Sequence, residues 1–141
     1  MTNMNASASA YLIGYGVAAL VMLALDAVWL TIMANSFYRP LLGEIMLDGF
    51  RPAPAVVFYV LYVGGITVFA LHPAFASGQW TTAAVHGALF GFFAYATYDL
   101  TNQATLKSWS MLVTLVDMAW GCFLTAVAAT AGYLAASALT K

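Results

Sequence analysis

Charge is what this chain has least of. Of its 141 residues, 6% are Asp, Glu, Lys or Arg, while 64% are hydrophobic. Soluble domains carry about 25% charged residues, so a chain this poor in ionic groups cannot cover itself against water and must be solvated by lipid. Cysteine is almost absent as well. Cys122 stands alone, which excludes an intramolecular disulfide and a cysteine-based metal site. The net charge of −1 supplies no basic face for nucleic acid. Residues 1–9 contain no Lys or Arg, so the positive n-region of a cleaved signal peptide is missing. The apolar run that follows is longer than the about 7–15 residues of a signal-peptide core and is expected to stay as a helix. No His-Glu-x-x-His zinc helix, phosphate loop or Ser/His/Asp set occurs, and neither a metal nor a cofactor is expected. His72 abuts Pro73 at an expected helix end, a poor setting for a haem ligand.

Long apolar runs fill the chain instead. A helix crossing the hydrocarbon core needs about 20 apolar residues. Residues 10–33, 55–71, 80–100 and 109–134 meet that need, and no charged residue occurs between Arg51 and Asp99. The predicted fold is all-α: one transmembrane domain over residues 1–141, a polytopic bundle of four helices. In the first loop, Pro40 suits a helix start and Gly49 a helix end, with Leu41, Leu42, Ile45 and Met46 mixed among Arg39, Glu44 and Asp48. That pattern predicts a short amphipathic helix at the interface. His72-Pro73 and Ser77-Gly78-Gln79 are expected to break the chain between the second and third spans.

Loop charge predicts orientation. Arg39, Arg51 and Lys107 fall in the 1–2 and 3–4 loops, against Lys141 alone on the opposite side. The positive-inside rule then puts those loops in the cytoplasm and both termini outside it. Asp26 falls about nine residues inside the loop end of its span, roughly 13 Å at a helical rise. Asp117 falls eight residues inside the corresponding end of the fourth span, roughly 12 Å by the same rise. Tyr59, Tyr62, Tyr95 and Tyr98 belong to the same half of the membrane, with Asp99 at its mouth.

Two short motifs carry the chemistry. Asp26-Ala27-Val28-Trp29 in the first span is matched by Asp117-Met118-Ala119-Trp120 in the fourth. Residues three apart share a helix face, so each carboxylate is expected beside the indole of its own motif, whose N–H it can accept. Acids inside a membrane are functional sites by default. The alternative is that each Asp and Trp serves as interhelical glue, worth ~0.6 kcal/mol. At the end of the third span, Tyr95, Asp99 and Asn102 share a face that Gly87 and Gly91 continue inward. A Gly-x-x-x-Gly stripe allows close helix approach and puts this face inside the bundle; the competing reading is an aromatic belt with a polar helix cap. Arg39 is a candidate contact for an anion or lipid headgroup, or a partner for Asp26 or Asp99.

Four segments together resemble a known family: Leu25-Asp26-Ala27-Val28-Trp29-Leu30, Phe37-Tyr38-Arg39-Pro40, Tyr95-Ala96-Thr97-Tyr98-Asp99-Leu100-Thr101-Asn102 and Val116-Asp117-Met118-Ala119-Trp120-Gly121. The family is one of small, uncharacterised bacterial membrane proteins known only as a domain of unknown function. The resemblance covers nearly the whole chain and implies a four-span protein of the bacterial inner membrane, with both termini periplasmic by the charge rule above. It implies no activity. The function expected from the residues is binding or proton-linked transport of a small amphipathic molecule or lipid. The pocket would be formed by Asp26, Trp29, Tyr59, Tyr62, Tyr95, Tyr98, Asp99, Asn102, Asp117 and Trp120. Four spans enclose little volume, so a homodimer is an expected partner beside membrane lipids. The competing expectations are an intramembrane enzyme acting on a lipid or isoprenoid through an Asp general acid or base, and a non-catalytic accessory subunit.

Overall fold

The computed structural model describes residues 6–141, and among these all regular structure is helical. Residues 1–5, part of the segment 1–9 read above as lacking a signal-peptide n-region, lie outside the described residues. Helix α1 runs Ala8–Met33 and is capped by Ser7, whose Oγ accepts the Ala10 N–H at 3.2 Å. It does not stop at residue 33. A π turn at Ala34–Tyr38 leads without a break into α2, Arg39–Leu42, and a 3₁₀ turn at Gly43–Ile45. The short helix expected around residues 40–49 is therefore the tip of a 38-residue rod, Ala8–Ile45.

A second rod repeats this construction. Helix α3, Pro52–Ile66, opens on prolines in its first turn, where a missing N–H costs no helical bond. It passes through a π turn at Thr67–Leu71 into α4, His72–Ser77. Of the two breaks expected, His72-Pro73 lies inside the rod, and the chain turns at Gly78, which takes the left-handed φ of +69°. Each π turn ends two residues before a proline, Pro40 or Pro73. The missing proline N–H and the bulk of its ring disturb an α ladder, and a wider turn ahead of it takes up the mismatch. Pro73 has no N–H for the carbonyl of Phe69, one turn back. His86 Nδ1 lies 3.2 Å from that oxygen and satisfies it in the tautomer protonated on Nδ1.

Helices α5, Trp80–Thr105, and α6, Met111–Leu139, complete the chain. Each ends five residues beyond the span predicted for it. Three rods are long and apolar enough to cross a membrane: Ala8–Ile45, Pro52–Ser77 and Met111–Leu139. Helix α5 is also of spanning length, 26 residues, but more polar, with His86, Asp99 and Asn102 along it. It has the most extensive packing partner in the molecule, α6, and α1 packs on a different flank of α6. All four long helices alternate in direction, as a four-span bundle requires.

Packing inverts the pattern of a soluble protein. Leu12, Leu20, Leu61 and Leu139 are each at least 69% exposed and face outward. Inside, α1 buries Ala10, Gly14, Ala18, Met22 and Asp26, one residue per turn. Small residues let backbones meet where dispersion rather than the hydrophobic effect drives association. At Gly91 the α5 and α6 backbones are so close that a Cβ would lie 2.1 Å from the Gly121 carbonyl oxygen. A Cβ on Gly132 would lie 2.6 Å from the Gly14 carbonyl oxygen, which fixes α1 against α6 in the same way.

Candidate functional site

Antiparallel packing of α1 on α6 brings the two Asp-x-x-Trp motifs together in the half of the bundle nearest the 1–2 and 3–4 loops. Their indoles stack face to face, with ring centroids 4.1 Å apart and planes 9° from parallel. The hydrogen bonds then cross between motifs. Trp120 Nε1 donates to Asp26 Oδ1 at 3.1 Å, rather than to Asp117 of its own helix. Trp29 Nε1 donates to the Tyr38 hydroxyl at 2.9 Å, and that hydroxyl donates to Asp117 Oδ1. The expectation that each indole serves its own carboxylate is corrected by this exchange. Parallel stacking turns each N–H away from the carboxylate one turn along: that of Trp120 toward the facing helix, and that of Trp29 along its own rod to Tyr38, whose hydroxyl then makes the crossing to Asp117.

Asp26 gains a second donor from α3, the Tyr59 hydroxyl at 2.6 Å from Oδ2. Both carboxylates are therefore 8% exposed and hydrogen-bonded by neutral partners. Asp99 differs. It is fully buried beside the Asp117 carboxyl, and among the described residues neither of its oxygens receives an N–H or hydroxyl donor. Its polar neighbour is the Asp117 carboxyl, with which a protonated Asp99 can hydrogen-bond, acid to acid.

A cavity of about 340 Å³ is lined by Asp26, Trp29, Tyr38, Tyr59, Tyr95, Tyr98, Asp117 and Trp120, and by Trp109, Leu42 and Met46 toward its loop end. A second cavity of about 350 Å³ adjoins it and shares Phe58, Tyr95, Tyr98 and Asp117, adding Tyr62 and Ala94. Tyr95 lies over the bare backbone of Gly121, where a Cβ would come within 2.2 Å of its ring. Tyr98 meets Trp109 edge-on at 5.8 Å. Tyr62 is held at 2.7 Å from Thr125 Oγ1, which itself donates to the Gly121 carbonyl, so the tyrosine is the donor of that pair.

Three residues singled out from the sequence lie outside the cavity walls. Asp99 sits behind Asp117, and Asn102 lines neither cavity but neighbours Tyr98, which lines both. Arg39 pairs with neither Asp26 nor Asp99: its Nε donates to Asn35 Oδ1 and its Nη2 to the Asp48 carbonyl, both at 3.0 Å, and it pins the first loop to the end of α1. One central residue was not singled out. Tyr38 bridges Trp29 to Asp117, yet it lies five residues beyond the predicted end of the first span. On a regular helix its nine-residue separation from Trp29 would place it about 180° away. The π turn brings it back toward the bundle.

Apolar antiparallel helices closed around acids, phenols and stacked indoles define a multi-pass membrane protein with a polar pocket inside it. The chain belongs to the family described as "Predicted membrane protein (DUF2177)", whose family model matches residues 11–134. No curated protein and no solved structure matches it.

Proposed function

We propose that this protein binds a small amphipathic molecule or lipid between α1, α3, α5 and α6, as the binding step of proton-linked transport. One observation carries the reading: a cavity walled by carboxylates and phenols opens beside an apolar one, and Asp117, Tyr95, Tyr98 and Phe58 belong to both. A polar head and an apolar tail each find a matching surface there. The loop-side half of α3 leaves Val56, Val57, Phe58, Val60 and Leu61 exposed, so an acyl chain can reach the second cavity from the side.

The family resemblance supports a bacterial inner-membrane setting, and the loop charges Arg39, Arg51 and Lys107 favour the pocket in the cytoplasmic half with both termini periplasmic. The hydrogen-bonded carboxyl–phenol couples Asp26–Tyr59 and Asp117–Tyr38 favour a second reading, a lipid-directed intramembrane enzyme, because such couples can pass a proton to a bound molecule. The test of binding is native mass spectrometry of protein extracted from its own membrane in mild detergent. Wild type is expected to retain one amphiphile per chain, and the Asp26→Asn/Asp117→Asn variant to lose it. Equal retention by both would overturn the proposal.

A further inference from the structure

Within the binding reading just given, on which this step rests, we propose that the ligand is a lipophilic cation: an amine or quaternary ammonium head carrying an apolar tail. The pocket wall holds two carboxylates, Asp26 and Asp117, and no Lys, Arg or His. Their hydrogen-bond partners are Trp120, Tyr59 and Tyr38, all neutral. Arg39, whose loop lies nearest the mouth, is engaged with Asn35 and Asp48. Behind Asp117, the fully buried Asp99 adds a third carboxyl whose polar neighbour is the Asp117 carboxyl itself. Among the described residues these three acids have one another and neutral donors as partners but no basic side chain, so any charge on the cluster has no counter-charge in the bundle. A positively charged head supplies it.

The walls say which kind of cation. Stacked Trp29 and Trp120, with Tyr38, Tyr59, Tyr95 and Tyr98, present aromatic surfaces around the carboxylates. Aromatic faces attract weakly hydrated organic ammonium groups, and cages of this composition recognise quaternary ammonium ligands. A bare metal ion needs a shell of oxygens, whereas Asp26 already has a donor on each of its oxygens. An anionic head would meet the carboxylates with no cation to receive it. The tail has its place in the adjoining cavity among Phe58, Tyr62, Ala94 and Tyr95.

Three of the four tryptophans, Trp29, Trp109 and Trp120, line the cavity, so tryptophan emission reports its occupancy. Protein in dodecyl maltoside micelles is titrated with decyltrimethylammonium, decyl sulfate and decanol, each referenced to protein-free micelles. The proposal expects saturable binding of the trimethylammonium probe at least ten-fold tighter than either other probe. It also expects a loss of ten-fold or more for that probe alone in Asp117→Asn. Equal binding of all three probes, or preference for the sulfate or the alcohol, overturns the cationic ligand and leaves amphiphile binding standing. Saturable binding of none overturns the binding reading itself. The ranking on wild type decides the sign of the ligand even where Asp117→Asn does not fold, and Asp26→Asn then serves as the second variant.

Discussion

Replacing Gly91 by alanine adds one methyl group at the closest approach of α5 and α6. Its Cβ would stand 2.1 Å from the Gly121 carbonyl oxygen, 2.8 Å from that carbonyl carbon and 2.5 Å from Thr125 Oγ1. Two of the three atoms are backbone and cannot rotate aside. Contact becomes ordinary at 3.4 Å, so the helices must separate by roughly 1 Å. A gap of about 0.5–1 Å already forfeits a quarter to a half of each dispersion contact along the seam. Overpacking of this kind costs about 1–3 kcal/mol, and a backbone-to-backbone clash belongs at the upper end, near ~3 kcal/mol. The same substitution at Gly16, where an added Cβ meets nothing within 4 Å, serves as the control. There it removes only the helix penalty of glycine and should stabilise by about 0.5–1 kcal/mol. Unfolding of the purified variants in mixed micelles by increasing SDS, followed by far-ultraviolet circular dichroism, reads the two directly. Gly91→Ala unfolding at or above the SDS fraction of Gly16→Ala would refute the close-packed seam.

Asp26→Asn leaves one oxygen to accept the Trp120 N–H and turns an amide N–H toward Tyr59, whose hydroxyl must accept instead of donate. Two charge-assisted bonds become neutral ones, and SDS unfolding should show a loss of about 1 kcal/mol. Tyr38→Phe leaves the Trp29 N–H without its acceptor and should cost about 1 kcal/mol, with the indole N–H Raman band moving to its free position; an unmoved band would contradict the bridge. A double-mutant cycle on Trp29→Ala and Trp120→Ala should return a coupling of about 0.5–1.5 kcal/mol from the stacked pair, and additive effects would argue against the stack. His86→Leu should destabilise by about 1 kcal/mol alone but by little in a Pro73→Ala background, where residue 73 regains an N–H for the Phe69 carbonyl.

Asp26, Asp117 and their matched depths were legible because run lengths and alternating direction place a residue along the bilayer normal. The stripe Gly87, Gly91, Tyr95 and Asp99 was legible for the related reason that a four-residue period defines one face of a helix. What periodicity does not contain is the rotation of one helix against another. The exchange of indole partners between Asp26 and Asp117 depends on that rotation, and so does the seating of Asp99 behind Asp117 rather than in the pocket wall. Tyr38 escaped for a local reason. Its position follows from five residues of π geometry that polar Asn35 and Ser36 disguise as the start of a loop. Proline misled in the same direction at Pro73, since a helix can pass through proline when a wide turn and a side chain such as His86 settle the displaced carbonyl.

Each π turn also acts as one inserted residue, and that gives the chain two places where its length can change. Deleting a single residue between Trp29 and Tyr38 leaves eight steps of plain α-helix, about 800°, or about 80° past two full turns. That bearing keeps the phenol turned toward Asp117 instead of away from it. The same deletion between Ala10 and Met22 meets no such slack and swings one half of the buried stripe by about 100° relative to the other. Shortening by one residue should therefore be accepted just ahead of either proline and rejected in the middle of α1.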